Sequence, residues 1–265
     1  MENLLSAVRG EVKEAVILAA GLGTRMKEQY PSTPKFAIPI GKIPLILFPF
    51  KVLQRFGVER FTIVVAKDFS HILKGIISHV AGPEVEVTIV ENPSPEKGNG
   101  YSFFLTENST TSQYFFVSMC DHLYPPALPA RLADALKATP ADLIVGADSI
   151  PIYINLVEAT KIRANDEDRL LAIGKNLNYY NFVDAGVFIA SRRLYQLFSS
   201  LQELRVIEFS TIVKAAANAG FKVLVCDVSG IPWTDVDTPA DILDLLGGKR
   251  REVLNSILSE VKFDE

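Results

Sequence analysis

The chain has 265 residues, 48% hydrophobic and 22% charged, with a formal net charge of −4. That is ordinary globular material with enough apolar mass for a core, and its mild acidity speaks against a general nucleic-acid binder, which usually shows a strongly basic surface. No stretch approaches the ~20 apolar residues of a membrane span, and the N-terminus carries Glu2, Glu11 and Glu14 without an apolar segment of signal length, so a cytoplasmic protein that does not itself span a membrane is expected.

In chain order, residues 1–13 read as an N-terminal helix and "AVILAA" (15–20) as a buried strand. "IPLILFPFKVLQRFG" has helical spacing, "RFTIVVAKD" is a second strand, "SHILKGIISHV" a helix and "VEVTIVEN" a third strand. A short helix over "NGYSFFLTENST", the strand "QYFFVSMCD", the helix "PALPARLADALKA" and the strand "ADLIVGAD" continue the alternation. Continuous apolar strands separated by helices imply a doubly wound α/β sheet, largely parallel and covered on both faces. After Ser149 the strand-like runs "EATKIRAN", "DRLLAIGK" and "YNFVDAGVFIA" are closely spaced, which predicts a small antiparallel subsheet, either extending the main sheet or forming a lid. Helices near 191–200 and 207–219, the strand "FKVLVCDV", and a helix over "TPADILDLL" with Thr238 at its cap and Pro239 in its first turn follow. The amphipathic stretch 249–262 is a peripheral helix or a contact for a second copy in a homodimer. Cys120 and Cys226 lie in apolar runs and read as reduced core residues. His71, His79 and His122 are too scattered to form a ligand set by spacing.

The stretch after the first strand, "AGLGTRM", is the most informative. A glycine-rich turn following a strand cradles phosphate with backbone N–H groups. The P-loop pattern GxxxxGK[ST] is absent. The dinucleotide pattern GxGxxG is met by Gly21 and Gly23 but broken by Met26, and it has no place for the cations Arg25 and Lys35. Asp121 ends an apolar strand, where ligands sit on an open α/β sheet, and its carboxylate suits Mg²⁺. Asp235 and Asp237 are at i and i+2 in "WTDVD" and face one side if that segment is extended.

"LAAGLGTRM…PK" resembles the signature of nucleotidyltransferases that join a nucleoside triphosphate to a sugar phosphate or alcohol phosphate. "EKGNGYS", "EATKI", "IGKNL" and "WTDVDT" look most like the CTP:inositol-1-phosphate cytidylyltransferases. The resemblance implies one Rossmann-like, nucleotide-diphospho-sugar-transferase-type domain. Its nucleotide half would be 14–148, its acceptor half 149–246, and 249–262 would be a C-terminal helix. It implies Mg²⁺-dependent transfer of CMP from CTP to inositol 1-phosphate, giving CDP-inositol for di-myo-inositol phosphate synthesis. Because some relatives carry a fused membrane synthase domain, a separate membrane-bound synthase would be the partner here.

The residues then take expected roles. Arg25 grips the triphosphate with a bidentate fork, and Lys35 bridges the two reacting phosphates. Leu18, Ala19, Ala20, Gly21, Gly23 and Thr24 frame the nucleotide, while Gly98, Asn99, Gly100 and Ser102 lie against the base. Asp121 and Asp237 ligate the metal, with Asp235 direct or through water. Glu158, Thr160, Lys161, Lys175, Asp184, Gly186 and His122 contact the acceptor. The alternatives are another acceptor, such as phosphocholine or a hexose 1-phosphate, a nucleotide-binding regulatory subunit without catalysis, and a dinucleotide-dependent oxidoreductase.

Overall fold

A computed structural model describes residues 12–263, so the helix expected over 1–13 falls almost wholly outside the described residues. The strands are β1 (Glu14–Leu18), β2 (Pro39–Ile40), β3 (Ile43–Pro44), β4 (Arg60–Ala66), β5 (Glu86–Asn92), β6 (Tyr114–Met119), β7 (His122–Leu123) and β8 (Leu143–Asp148). They continue as β9 (Lys161–Ala164), β10 (Leu170–Gly174), β11 (Phe182–Ser191), β12 (Val223–Asp227) and β13 (Thr234–Asp235). The α-helices are α1 (Leu47–Phe56), α2 (Ser70–Ser78), α3 (Asn99–Phe104), α4 (Ala127–Ala138), α5 (Phe198–Leu201), α6 (Phe209–Asn218), α7 (Pro239–Gly247) and α8 (Arg251–Glu260).

The main sheet runs β12-β8-β11-β6-β1-β4-β5, parallel except for β11. Side chains alternate faces along a strand, and β1 is buried on both. Ala15 and Ile17 join the core layer under α1, α2, α4, α7 and α8. Val16 and Leu18 join the layer built on Phe103, Phe115, Tyr195 and α6. This is the mixed, doubly wound α/β domain expected from the sequence.

Strand β11 sets up the site. It pairs with β6 only from Val187 onward, so Phe182–Gly186 run past the carboxyl end of β6. That overhang pairs with β9, and β9 with β10. The expected antiparallel subsheet is therefore an extension that walls one side of the sheet's carboxyl edge. The pairing of β11 with β8 is irregular between Asp184 and Phe188. Four residues of β11 answer two of β8 there, a bulge that re-aims side chains.

Some expectations needed correction. Helix α1 begins at Leu47 because Ile43 and Pro44 pair with β2 as a hairpin. Helix α3 stops at Phe104; beyond it the Thr106 hydroxyl donates back to the Phe103 carbonyl and meets Tyr195 Oη, each at 2.7 Å. Glu158 was expected on a strand but sits in a turn, where Asn155 accepts the Glu158 N–H on its carbonyl at 3.2 Å and the Val157 N–H on its side chain at 3.1 Å. The strand starts only at Lys161, and Lys175 lies just beyond β10. No helix among the described residues is long and apolar enough to cross a membrane.

Candidate active site

The glycine loop leaves the sheet after β1. Ala19 N–H donates to the Val64 carbonyl at 2.8 Å, and the chain then turns through Gly21 and Gly23 into a 3₁₀ turn over Thr24–Met26. Met26 is buried and pins this turn, while Arg25 faces the cleft. Gly23 is glycine for two reasons. Its φ of +56° is left-handed, and a Cβ there would stand 3.0 Å from the Lys35 Cβ. Lys35 opens a second 3₁₀ turn over Lys35–Ala37, anchored by buried Phe36.

Two carboxylates from distant parts of the chain converge on that lysine. Lys35 Nζ donates to Asp121 Oδ2 in a very short contact and to Asp237 Oδ1 at 2.7 Å. Arg25 meets the other Asp237 oxygen at 2.8 Å and Glu158 at 3.6 Å. Burial alone would lower the Lys35 ammonium, but Asp121 and Asp237 outweigh it and raise its pKa well above the usual lysine range. Burial likewise works against ionised Asp121, yet Lys35 and His122 hold that carboxyl far below the usual range.

Asp237 does not cap the following helix. Thr238 is its N-cap, as expected, in a capping box with Asp241: one Asp241 oxygen accepts the N–H groups of Asp237 and Thr238 at 2.9 and 2.7 Å and the Thr238 hydroxyl at 2.9 Å. That leaves the Asp237 carboxylate to the cleft. Arg250, at the start of α8, binds the other Asp241 oxygen at 2.9 Å and the Asp235 carbonyl at 2.7 Å. Thr234–Asp235 forms β13, and the Asp235 and Asp237 carboxylates line one cavity but take different partners: Asp235 lies 3.7 Å from Arg250, whereas Asp237 meets Lys35 and Arg25. Burial, with the charges of Asp237 and Asp121, raises the Asp235 carboxyl.

At the other end, Asp184 and Gly186 project on the β11 overhang against His122. The Gly186 N–H donates to Asp184 Oδ1 at 2.9 Å. His122 Nδ1 meets Asp121 Oδ1 at 2.8 Å. Burial disfavours the imidazolium, but Asp121, Asp235 and Asp184 reverse this and bring its pKa to about 9. Burial pushes the Asp184 carboxyl up to about 6.

Two adjoining cavities, of about 280 and 270 Å³, share Arg25, Asn99, Met119, His122 and Asp237. Leu18, Ala20, Gly21, Gly23 and Thr24 line the second, with Lys35 and Asp121. Glu158, Thr160, Lys175, Asp184, Gly186 and Asp235 line the first. Ala19, Gly98, Gly100, Ser102 and Lys161 line neither cavity. Ser102 is buried and accepts from Asn92 Nδ2 at 2.9 Å. Gly98 and Gly100 pack against the backbone of Ile207 and Glu208, and Asn99 Oδ1 accepts the Phe209 N–H at 2.7 Å. Lys161 donates to the Lys175 carbonyl at 2.9 Å. Sequence reasoning missed Met119, Ser210 and Trp233 as lining residues. Trp233 opens the run "WTDVDT", in which the two carboxylates are the stronger chemical signal.

Among the described residues no group of three or more His, Cys, Asp or Glu side chains is placed to hold a metal. Asp121 and Asp237 nevertheless share one ammonium group, so both are in reach of one cation. A pair of carboxylates with remaining positions left to water and phosphate oxygens is the donor set that suits Mg²⁺.

A family model described as the MobA-like NTP transferase domain matches residues 15–174. The chain is 34% identical over 232 residues to the "Bifunctional IPC transferase and DIPP synthase" of Aquifex aeolicus, covering 87% of this chain and 50% of that protein. The protein of the same name from Archaeoglobus fulgidus is 34% identical over 89% of this chain and 44% of its own length. The chain thus spans about half the length of the curated relatives it matches. The solved structure of the inositol-1-phosphate CTP transferase from T. maritima superposes with a TM-score of 0.86 at 31% identity, covering 96% of this chain and 99% of that one. A putative glucose-1-phosphate thymidylyltransferase from Bacillus anthracis, at 14% identity and a TM-score of 0.78, shares the fold.

Proposed function

The chain belongs to the MobA-like NTP transferase family, and on that footing we propose that it transfers CMP from CTP to inositol 1-phosphate, releasing pyrophosphate and CDP-inositol. The observation that carries this reading is the meeting of Lys35 with Asp121 and Asp237 where the two cavities join. The likeness to the T. maritima inositol-1-phosphate CTP transferase, matched over almost its whole chain, supports the transferase among the two activities in the relatives' names as the one shared. CDP-inositol would then serve a membrane-bound synthase making di-myo-inositol phosphate, with both the transfer and its substrates on the cytoplasmic side.

In this reading residues 14–148 hold the nucleotide and 149–246 the acceptor. An acceptor phosphate oxygen forms a bond to the α-phosphorus of CTP while the bond from that phosphorus to the α–β bridging oxygen breaks. The attacking phosphate is already ionised near neutral pH, so positioning and charge neutralisation carry the rate. The backbone of Leu18–Thr24 frames the triphosphate, Arg25 forks onto it, and Lys35 steadies the reacting phosphates. Asn99 faces the base, with Gly98, Gly100 and Ser102 shaping the wall behind it. Glu158, Thr160 and Asp184 take ring hydroxyls, Lys175 and His122 take phosphate oxygens, and Lys161 fixes the Lys175 segment through its carbonyl. Asp121 and Asp237, with Asp235 direct or through water, hold Mg²⁺, which supplies charge neutralisation on the triphosphate when bound.

A choline-type acceptor needs an aromatic cage. Tyr180 has Lys161 5.7 Å over its ring, Tyr179 is 81% exposed, and neither lines the two cavities, so the tyrosines near the acceptor half do not supply one. Pyrophosphate release, measured with CTP, Mg²⁺ and a panel of phosphorylated alcohols, tests the proposal. Turnover with inositol 1-phosphate is expected; turnover with choline phosphate and none with inositol 1-phosphate overturns it.

A further inference from the structure

His122 is held on every side but one. Trp233 lies parallel to its ring, with centroids 6.1 Å apart and planes inclined by 7°. The indole cannot turn freely: it is buried, and Nε1–H donates to Asp148 Oδ2 at 2.8 Å. Asp148 is itself buried, and its other oxygen accepts the Ile150 N–H at 2.8 Å. Gly186 closes the imidazole's other flank. A Cβ at Gly186 would stand 2.3 Å from His122 Cδ2 and 2.5 Å from Nε2, so only glycine admits the ring. The left-handed φ of +67° at Gly186 is fixed by the Asp184 carboxylate on its N–H. Asp121 takes Nδ1. No hydrogen bond from a described residue reaches Nε2, and His122 lines both cavities.

We propose that Trp233, with Asp148 behind it, and Gly186 are positioning residues that clamp the His122 imidazole so that Nε2 meets a phosphate oxygen of the acceptor. This rests on the acceptor cavity assigned above. The clamp joins the end of β8, the middle of β11 and the residue before β13, and fixes a ring that a neighbouring carboxylate alone would leave to rotate about two bonds. Gly186 is thus required twice, by its own left-handed backbone and by a side chain 64 positions away.

The chain's single tryptophan is Trp233, which also lines the cavity, so its fluorescence reports on this wall and the comparison with His122→Ala isolates the part that depends on the imidazole. Titration with inositol 1-phosphate in the presence of CTP and Mg²⁺ should shift the emission of the unaltered protein, and His122→Ala should abolish the shift. Gly186→Ala and His122→Ala should each raise KM for inositol 1-phosphate at least tenfold while leaving KM for CTP within threefold. The double variant should be no worse than the worse single one, because both changes remove one contact. Multiplying defects in the double variant, or an unchanged acceptor KM in Gly186→Ala, overturns the proposal. Should Gly186→Ala fail to fold, Trp233→Phe, which keeps the ring plane but loses Nε1–H, carries the same kinetic comparison. Proton NMR of the imidazoles separates the clamp from the choice of acceptor. If inositol 1-phosphate is inert with the unaltered protein, the proposed function fails, and the clamp stands or falls on whether Gly186→Ala moves the His122 signals.

Discussion

Replacing Lys35 by Met tests the centre of the site, because it removes a charge while keeping most of the buried stem. The lysine is only 9% exposed. At the 2.7 Å separation from Asp237, one unit-charge pair attracts by about 6 kcal/mol at an effective dielectric of 20 and by about 1.5 kcal/mol in bulk water. Desolvation of the ammonium takes back several kcal/mol, and Asp121 and Asp237 are each about a fifth to a quarter exposed, so water relieves part of the loss. The net expectation is a fall of about 2 kcal/mol in stability in EDTA, which in a domain of this size lowers the melting temperature by about 4–8 °C. Mg²⁺ at millimolar concentration should restore most of it, because a divalent cation neutralises the two carboxylates in place of the lysine. Turnover should drop by at least about 100-fold, the usual effect of losing one preorganised charge aimed at a developing anion. Thermal unfolding with and without Mg²⁺, together with pyrophosphate release, measures both. A variant that melts like the unaltered protein in EDTA and turns over normally would refute the reasoning.

Three further outcomes concern Arg250, Glu14 and Gly23. Arg250→Met should cost about 2 kcal/mol and raise the Mg²⁺ concentration for half-maximal activity, with Arg250→Lys partly recovering both; unchanged Mg²⁺ dependence would separate α8 from the site. Glu14, buried at the start of β1, is pushed up by burial but pulled below its ordinary value of 4.5 by the Ser112 and Thr111 N–H groups and Arg60. Its contribution is therefore fully present above pH 4.5 and is lost as pH falls through the lower folded value, so the stability gap between Glu14→Gln and the unaltered protein, measured by denaturant unfolding, should narrow as the pH drops below 4.5. Gly23→Ala meets a left-handed φ and the Lys35 Cβ at 3.0 Å, and should lose about tenfold in turnover for about 1 kcal/mol in stability; equal turnover would mean that the loop shape does not set the Lys35 position.

Much of the sheet was legible because buried parallel strands read as apolar runs and their helices carry their own period. The loop cations were legible because two glycines and two cations in one short stretch have few other uses. What could not be read was anything created by strand register. Nothing local in "VDAGVF" says that β11 overshoots β6 and carries Asp184 and Gly186 over the sheet edge. The partnership of Trp233 with His122 and Asp148 spans more than 80 positions. Spacing puts Asp235 and Asp237 on one side, and both line the first cavity, but it does not show that Arg250 binds the Asp235 carbonyl while Lys35 and Arg25 take the Asp237 carboxylate. Ser102 sits three residues after Asn99, which lines both cavities, yet it is buried and its hydroxyl accepts from Asn92.

The contacts of Arg25 and Lys35 with Asp121 and Asp237 have a thermodynamic consequence. A polyphosphate that draws the two cations to itself strips the carboxylates of their counter-charges and so readies them for a divalent ion. An ion that takes the carboxylates releases the cations to the polyphosphate. Each partner removes part of the other's cost of entry, and by linkage the factor by which one tightens the other is the same in either direction. On the proposed function, affinities for nucleotide and for metal measured one at a time should therefore both understate how firmly the pair is held together.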